Sequence, residues 1–270
     1  MTLVNFSYRQ TKRIKMGFHS HPFYEIYYFH GGKCNYVIGP NVYSLQPGDL
    51  IIMHGMTLHT PKLDMREPYV RSILHFYPEF LYEYINRKYA VQLLRPFEEL
   101  RNYRLHAGDR KEEVEALLAE MDIYYKADGE SAYGRFLLRF IDLLYVIGDL
   151  CRRPIDHAQL TRGDREIHVQ RVIEYIEAHY TEDVTMEKME RDLHVSRHYL
   201  SRLFKEWTGW TIFQFLYQRR INQAKTLFFL ENDLSVTEVA ERVGFKHLSH
   251  FSRVFKKLEG VPPEAYRKYA

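Results

Sequence analysis

The sequence predicts a multidomain protein. An N-terminal antiparallel β-barrel with a helical appendage is followed by a C-terminal all-α domain carrying two helix-turn-helix units. Three observations predict this. Up to about residue 85, short runs rich in aromatic and β-branched residues alternate with Gly, Pro and Asn turns, the pattern of a small barrel or sandwich. Near the other end, SRHYLSRLFKEWTG (Ser196 to Gly209) is written twice, its second copy being HLSHFSRVFKKLEG, fifty-one positions on (Leu200 to Phe251). Between these regions lies a polar stretch with Pro and Gly, residues 152–165, which reads as a linker.

The strands are FYEIYYF (Phe23 to Phe29), NYVI (Asn35 to Ile38), VYSL (Val42 to Leu45), DLIIM (Asp49 to Met53) and VRSILHF (Val70 to Phe76). If Phe18 to Phe29 is extended, alternation puts His19, His21, Glu25 and Tyr27 on one face, and a barrel turns that face inward. His59 follows downstream. Two imidazoles one residue apart with a carboxylate suit either polar contacts to a small molecule or metal ligation. The pocket is the preferred reading, with no metal and no cofactor expected. Satisfied structural histidines account for the cluster as a third reading. The tyrosines nearby (Tyr24, Tyr27, Tyr28, Tyr36, Tyr43) offer flat faces with hydroxyl handles, as sugars need, although sheet packing uses such residues equally well.

Residues 86–151 are helical. Phe80 to Tyr89 and Val91 to Leu100 have helical character. Arg110 to Lys126 places Val114, Leu117, Leu118, Met121 and Tyr125 on one stripe, and Ser131 to Cys151 does the same with Phe136, Leu137, Phe140, Leu143, Leu144 and Ile147. This pair either closes the barrel's open side or forms a dimer seam.

Residues 166–270 are helical throughout. Ile167 to His179 begins the domain. Thr185 to Leu193 and Ser196 to Trp207 make a helix-turn-helix, with Ser196 as N-cap. Thr211 to Leu230 runs unbroken with Phe213, Tyr217, Ile221, Ala224 and Phe228 along one side. Ser235 to Val243 and His247 to Leu258 repeat the pair around Gly244. Both copies of the repeated helix bury residues at i, i+3, i+4 and i+7 (Leu200, Leu203, Phe204, Trp207; Phe251, Val254, Phe255, Leu258). Their opposite faces are cationic and polar: Arg197, His198, Ser201, Arg202 and Lys205 in one, and Lys246, His247, Ser249, His250, Arg253, Lys256 and Lys257 in the other.

The bulk charge argues little, since the net value is only +3. Its distribution argues more. Between Arg197 and Lys225 the cations Arg197, Arg202, Lys205, Arg219, Arg220 and Lys225 meet only Glu206, and from Arg242 to Lys257 there is no acid. A twenty-residue helix at about 1.5 Å per residue spans roughly 30 Å, close to the roughly 34 Å of one turn of B-DNA. Two basic helices held by such a rod are expected to enter successive major-groove segments of a duplex. No apolar run of about 18 residues and no signal-peptide core is present, so a cytoplasmic protein with no membrane partner is expected. Cys34 and Cys151 lack metal-ligand spacing and are expected to be ordinary thiols.

Residues 167–270 closely resemble the AraC/XylS family of transcription regulators. SRHYLSRLFKEWTG, FLYQRRINQAKTL and VTEVAERVGFKHLSHFSRVFKKLEGVPPEAYR follow that family's DNA-binding domain in order and spacing. The resemblance implies helix-turn-helix units at about Met186 to Trp207 and Val236 to Lys257. Residues 17–80 resemble the cupin-like effector domain of many members. HxHxxxE and the later Gly32 match the first cupin motif, and LQPGDLIIMHGMTLH the second, with one extra residue before His59. The first helix-turn-helix has Glu190 where the family usually has Ala, so this carboxylate must point outward or be paired.

The resulting expectation divides residues 1–85 as effector barrel, 86–151 as dimerisation or cover helices, 152–165 as linker and 166–270 as DNA-binding domain. Expected DNA contacts are Ser196, Arg197, His198, Ser201, Arg202, Lys205, Arg220, Lys246, His247, Ser249, His250, Arg253, Lys256 and Lys257. Expected effector contacts are His19, His21, Glu25, Tyr27 and His59. The partners are double-stranded DNA, a small-molecule effector such as a sugar, a second copy of the chain, and RNA polymerase. The rival is a metal-dependent cupin enzyme fused to a DNA-binding tail, with His19, His21, Glu25 and His59 as ligands.

Overall fold

The computed structural model describes residues 4–11, 18–21, 23–54, 57–64, 66–100, 102–152, 164–231 and 233–268. The chain divides into two compact units, one of residues 1–39 and 43–161 and the other of residues 162–270 together with 40–42. Most of the expected linker, 153–163, lies outside the described residues.

The first unit holds eight strands: β1 (Val4–Gln10), β2 (Tyr24–Gly31), β3 (Cys34–Ile38), β4 (Asn41–Ser44), β5 (Asp49–His54), β6 (His59–Leu63), β7 (Val70–Phe76) and β8 (Tyr103–His106). They form a five-stranded sheet in the order β1-β7-β2-β5-β8 and a three-stranded sheet β4-β3-β6. Tyr27, Phe29, Ile51 and Met53 of the larger sheet pack against Cys34, Tyr36, Ile38, Tyr43 and Leu63 on the smaller one. The alternate residues Tyr24, Ile26, Tyr28, Leu50, Ile52, Leu74 and Phe76 face the other way and meet helices. Cover on both faces is why β2 is buried at every position from Tyr24 through Phe29. Tyr24 and Tyr28 therefore belong to the helix-facing core and not to the interior between the sheets.

The helices are α1 (Glu79–Tyr84), α2 (Arg87–Glu99), α3 (Lys111–Lys126) and α4 (Glu130–Arg152). The break between the first two falls at Ile85–Asn86 and not near Ala90, because the Asn86 side chain accepts from Lys88 N at 3.0 Å and caps α2. Val114, Leu118, Met121, Phe136, Leu137, Phe140, Leu143, Leu144 and Ile147 join one continuous core with the sheet. The apolar stripes of α3 and α4 thus cover a sheet face. At about 1.5–3 kcal/mol for each large apolar side chain, this burial is what anchors the helices.

In the second unit, α5 (Asp164–His179) precedes α6 (Met186–Leu193) and α7 (Arg197–Thr208); α8 (Ile212–Leu230) then leads to α9 (Val236–Arg242), α10 (Leu248–Glu259) and α11 (Pro263–Arg267). Reciprocal capping boxes, Thr211 with Gln214 and Ser235 with Glu238, start α8 and α9. The single stripe expected on α8 is replaced by burial on more than one side, with Ile212, Phe215 and Leu216 buried while Phe213 and Tyr217 are only half-buried. The reason is that the rod serves two neighbours. Phe215 meets Phe204 of α7, whereas Ile221, Ala224 and Phe228 pack with Val239, Phe251 and Phe255.

Candidate nucleic-acid interface and effector site

The two repeated helices reach their turns differently. His194 closes the α6–α7 turn in the left-handed region at φ 56°, and Gly244 does so for α9–α10 at φ 88°. A Cβ at Gly244 would lie 2.7 Å from Thr181 O and 2.8 Å from Tyr180 O, so only glycine fits. Ser196 caps α7 by accepting from Tyr199 N at 3.4 Å. Glu190 is half-buried, and its carboxylate accepts from Arg197 N at 3.2 Å. The residue that departs from the resembled family pattern thus satisfies another free N–H at the start of α7, where the helix dipole favours negative charge.

On α7 the side chains of Arg197, His198, Ser201, Arg202 and Lys205 are exposed, as are Ser196 at its cap and, around α10, Lys246, His247, Ser249, Arg253, Lys256 and Lys257. Two of these cations have local partners: Arg197 donates to Glu187 at 2.6 Å, and Lys246 lies 2.8 Å from Asp183. Exposed pairs of this kind contribute little to stability and exchange readily for phosphates. His250 is half-buried, its ring edge-on to Tyr217 and Phe245 with centroids 5.3 and 5.4 Å away. Burial, with Arg253 nearby, holds its pKa below the ordinary imidazole value. It is thus partly committed to the domain core.

Arg220 requires a correction. Expected on the DNA face, it is only 6% exposed, and its guanidinium donates to Tyr180 O at 2.6 Å and Glu182 O at 2.7 Å. It also lies 5.5 Å from the centre of the Phe245 ring. Its position on α8 turns inward, so it clasps the 180–182 loop. One exposed residue was missed: Leu248, 43% exposed at the first turn of α10, one repeat after Arg197. The repeat itself was the available signal.

In the first unit, His19 and His59 exchange backbone hydrogen bonds at 3.1 Å, which carries His19 to the edge of β6. The extra residue before His59 does not remove it from the cluster. His21 Nε2 lies 3.0 Å from Glu25 Oε2, His75 Nε2 also 3.0 Å, and His59 Nε2 3.6 Å. The structure therefore joins His19, His21, Glu25 and His59, and adds His75, which sequence reasoning missed. His75 arrives because β7 pairs with β2 in the register Glu25↔His75, fifty positions apart. Tyr27 does not join. It is fully buried and its hydroxyl bonds that of Tyr69 at 2.6 Å.

The cluster grades from wet to dry. The side chains of His75 and His21 are 31% and 12% exposed, against 3% for Glu25 and none for His59. Burial alone would push the Glu25 carboxyl up, but the hydrogen bonds to His21 and His75 and the nearby His59 hold it well below the usual carboxylate range. Burial lowers His59 to about 4 against the opposing pull of Glu25, so that ring is neutral near neutral pH.

A sandwich holding a semi-buried polar cluster, joined in one chain to paired basic helix-turn-helix units, defines the class: a ligand-binding module fused to a DNA-binding one. Comparison agrees with this. The sequence matches the model of an AraC-like ligand binding domain over residues 7–133 and that of a helix-turn-helix domain over 189–269. The chain belongs to the AraC family of transcription regulators. It is 22% identical, over 98% of its length and 86% of the relative's, to the uncharacterised HTH-type transcriptional regulator YdiP of Escherichia coli K12. It is 30% identical to the regulatory protein PocR of Salmonella typhimurium, over 40% of this chain and 36% of PocR. The C-terminal domain of AraT, a response regulator from Geobacillus stearothermophilus, is 36% identical over 40% of this chain and 89% of that domain, with a TM-score of 0.38. The matched region covers 12% of YtdP and 32% of YisR, both of Bacillus subtilis, so the chain spans about a third or less of several curated relatives. No helix among the described residues is long and apolar enough to cross a membrane.

Proposed function

We propose that the chain is a sequence-specific transcription regulator and not an enzyme, and that occupancy of the polar cluster in its first unit controls how it binds double-stranded DNA. The observation that carries this reading is the pair of exposed cationic helices, α7 and α10, packed on the two halves of one shared rod. At 19 residues and about 1.5 Å each, α8 is roughly 28 Å long, near the repeat of the major groove.

Arg and Lys on both helices supply phosphate contacts, which dominate affinity. Arg202 and Arg253 bond guanine edges, His198 and His247 reach further polar edges, and Leu248 offers an apolar contact to a thymine methyl. The effector is a small polar species held by His19, His21, Glu25, His59 and His75; carbohydrates form the first class to screen. Two copies of the chain meet on the operator, where RNA polymerase is the downstream partner.

The test is selection of an operator from random duplex DNA, followed by titration of variants. Arg202→Ala and Arg253→Ala should each lose about 1–3 kcal/mol of specific binding, roughly 5- to 150-fold, with helical content unchanged. Operator affinity equal to the wild type in both variants would remove α7 and α10 as readers. The enzyme rival predicts turnover by the first unit, which the same preparations test.

A further inference from the structure

We propose that Glu187 is a positioning residue for DNA reading: it holds the guanidinium of Arg197 toward the base edges, so that Arg197 bonds a guanine and not a phosphate. The inference rests on the reading of α7 as a DNA reader and adds the residue that gives one of its cations a direction.

The internal repeat carries the argument. The two helix pairs align at an offset of fifty positions through their first helices and turns, N-cap Thr185 on Ser235 and His194 on Gly244, and of fifty-one through their second helices. Glu187, Glu190 and Arg197 therefore correspond to Thr237, Ala240 and Leu248. Two carboxylates accompany the arginine in one pair, and all three groups are missing from the other. The helix pair thus folds without them, and the acids belong with the arginine.

Their geometry agrees. Glu187 and Glu190 share a face of α6, and both meet the start of α7. Glu190 accepts from Arg197 N at 3.2 Å and fixes the main chain; Glu187 Oε1 accepts from Arg197 Nη1 at 2.6 Å and fixes the side chain. Glu187 is itself anchored: its own backbone N–H, then Arg197 and the Thr185 hydroxyl, hold its carboxyl below the ordinary carboxylate value. A single contact at Nη1 leaves the rest of the exposed planar fork for the O6 and N7 acceptors of a guanine. Residues in the first turn of the second helix are the ones that a helix-turn-helix brings to base edges.

Charge separates base from phosphate. Arg197 and its two carboxylates sum to one negative charge, whereas no acid lies between Arg242 and Lys257. An exposed pair standing alone, such as Lys246 with Asp183, is traded for a phosphate. At Arg197 the same trade would leave two carboxylates facing that phosphate. A guanine edge is met with the ion pair intact.

The experiment uses the full chain, an operator selected from random duplex DNA and an unrelated duplex of equal length. Arg197→Ala should lower operator affinity about 5- to 150-fold and relax the preference at one base pair. Glu187→Gln frees the arginine. Ordering of its side chain is then left to the binding step, so the ratio of operator to unrelated-duplex affinity should fall about 2- to 13-fold. The salt slope on the unrelated duplex should steepen by up to about 0.9 as Arg197 gains a phosphate. Glu187→Asp keeps the charge but draws it back by a methylene, so it too should lower the ratio. In the Arg197→Ala background, Glu187→Gln should move both affinities by the same factor. Circular dichroism checks that each variant folds, and either Glu187 variant decides if the other does not. A wild-type ratio in the folded Glu187 variants overturns the proposal, whether or not the second unit loses stability. An Arg197→Ala variant that reads the operator as the wild type does also overturns it; if Arg202→Ala does the same, the reading of α7 falls with it. Lost base preference in Arg197→Ala with the Glu187 variants unchanged leaves α7 a reader and removes only the role of Glu187.

Discussion

At the scale of single residues, Glu190 shows how a departure from a family pattern is accommodated. The sequence requires that carboxylate to be paired or exposed, and the structure pairs it with the Arg197 N–H. Removing a cap of this kind costs about 0.5–2 kcal/mol. Glu190→Ala is therefore expected to destabilise the second unit by that amount, while Glu190→Gln, which keeps an acceptor, should cost less. Trp207 and Trp210 are the only tryptophans of the chain and lie at and just beyond the end of α7, so their fluorescence during urea unfolding reports this unit specifically. The two cysteines give a second residue-scale expectation. Cys34 is 2% exposed and burial pushes its thiol far up; Cys151 is half-buried and pushed up to about 11. Thiolate is the reactive form. Neither thiol should react appreciably with a disulfide reagent near pH 7.5 in the folded chain, and both should react at once in denaturant.

Elements differ in how much of them the sequence discloses. Strands bounded by Gly and Pro turns and rich in aromatic, β-branched and other apolar residues, β2, β3, β5 and β7, are plain from local pattern. Others are not: β6 contains Pro61 and survives because it lies at the edge of its sheet, and β8 is a four-residue strand that gains its meaning only by pairing with β5. The same limit hid His75, since no local pattern states which residue of β7 will lie opposite Glu25. Similarly, α8 gives no hint on its own that Arg220 faces inward. The cation run around it suggested a polyanion, but the orientation follows from packing against the 180–182 loop, forty positions away. Arg220→Ala leaves the Tyr180 and Glu182 carbonyls without that donor, at about 1–3 kcal/mol each, so a loss of roughly 2–6 kcal/mol in stability is expected. A phosphate contact at this position would flatten the salt dependence of DNA binding by about 0.9 in log–log slope when lost, whereas a structural clasp leaves the slope unchanged. Measuring the slope for Arg220→Ala well below its unfolding temperature separates the two.

For the whole molecule, the question is how many chains meet the operator, and both the charge and the apolar surface bear on it. The exposed cations on and beside α7 and α10 are Arg197, Arg202, Lys205, Lys246, Arg253, Lys256 and Lys257. If every one neutralised a phosphate, a single chain would give a salt slope of about −6, and two chains about −12. A slope clearly steeper than −6 therefore requires a second copy. The stripes of α3 and α4 that the sequence offered for dimerisation already pack on the sheet, so any seam must use what remains outside. That is Leu138 and Tyr145, seven residues apart on α4 and 62% and 40% exposed, with Ile123 of α3 at 65%. Residues seven apart share a helix face, and Leu138 is the most exposed apolar side chain on α4. Leu138→Asp places a charge there without touching either core. It is expected to shift sedimentation equilibrium toward the monomer and bring the salt slope back to −6 or shallower. A variant that sediments and titrates as the wild type does would move the seam to another surface.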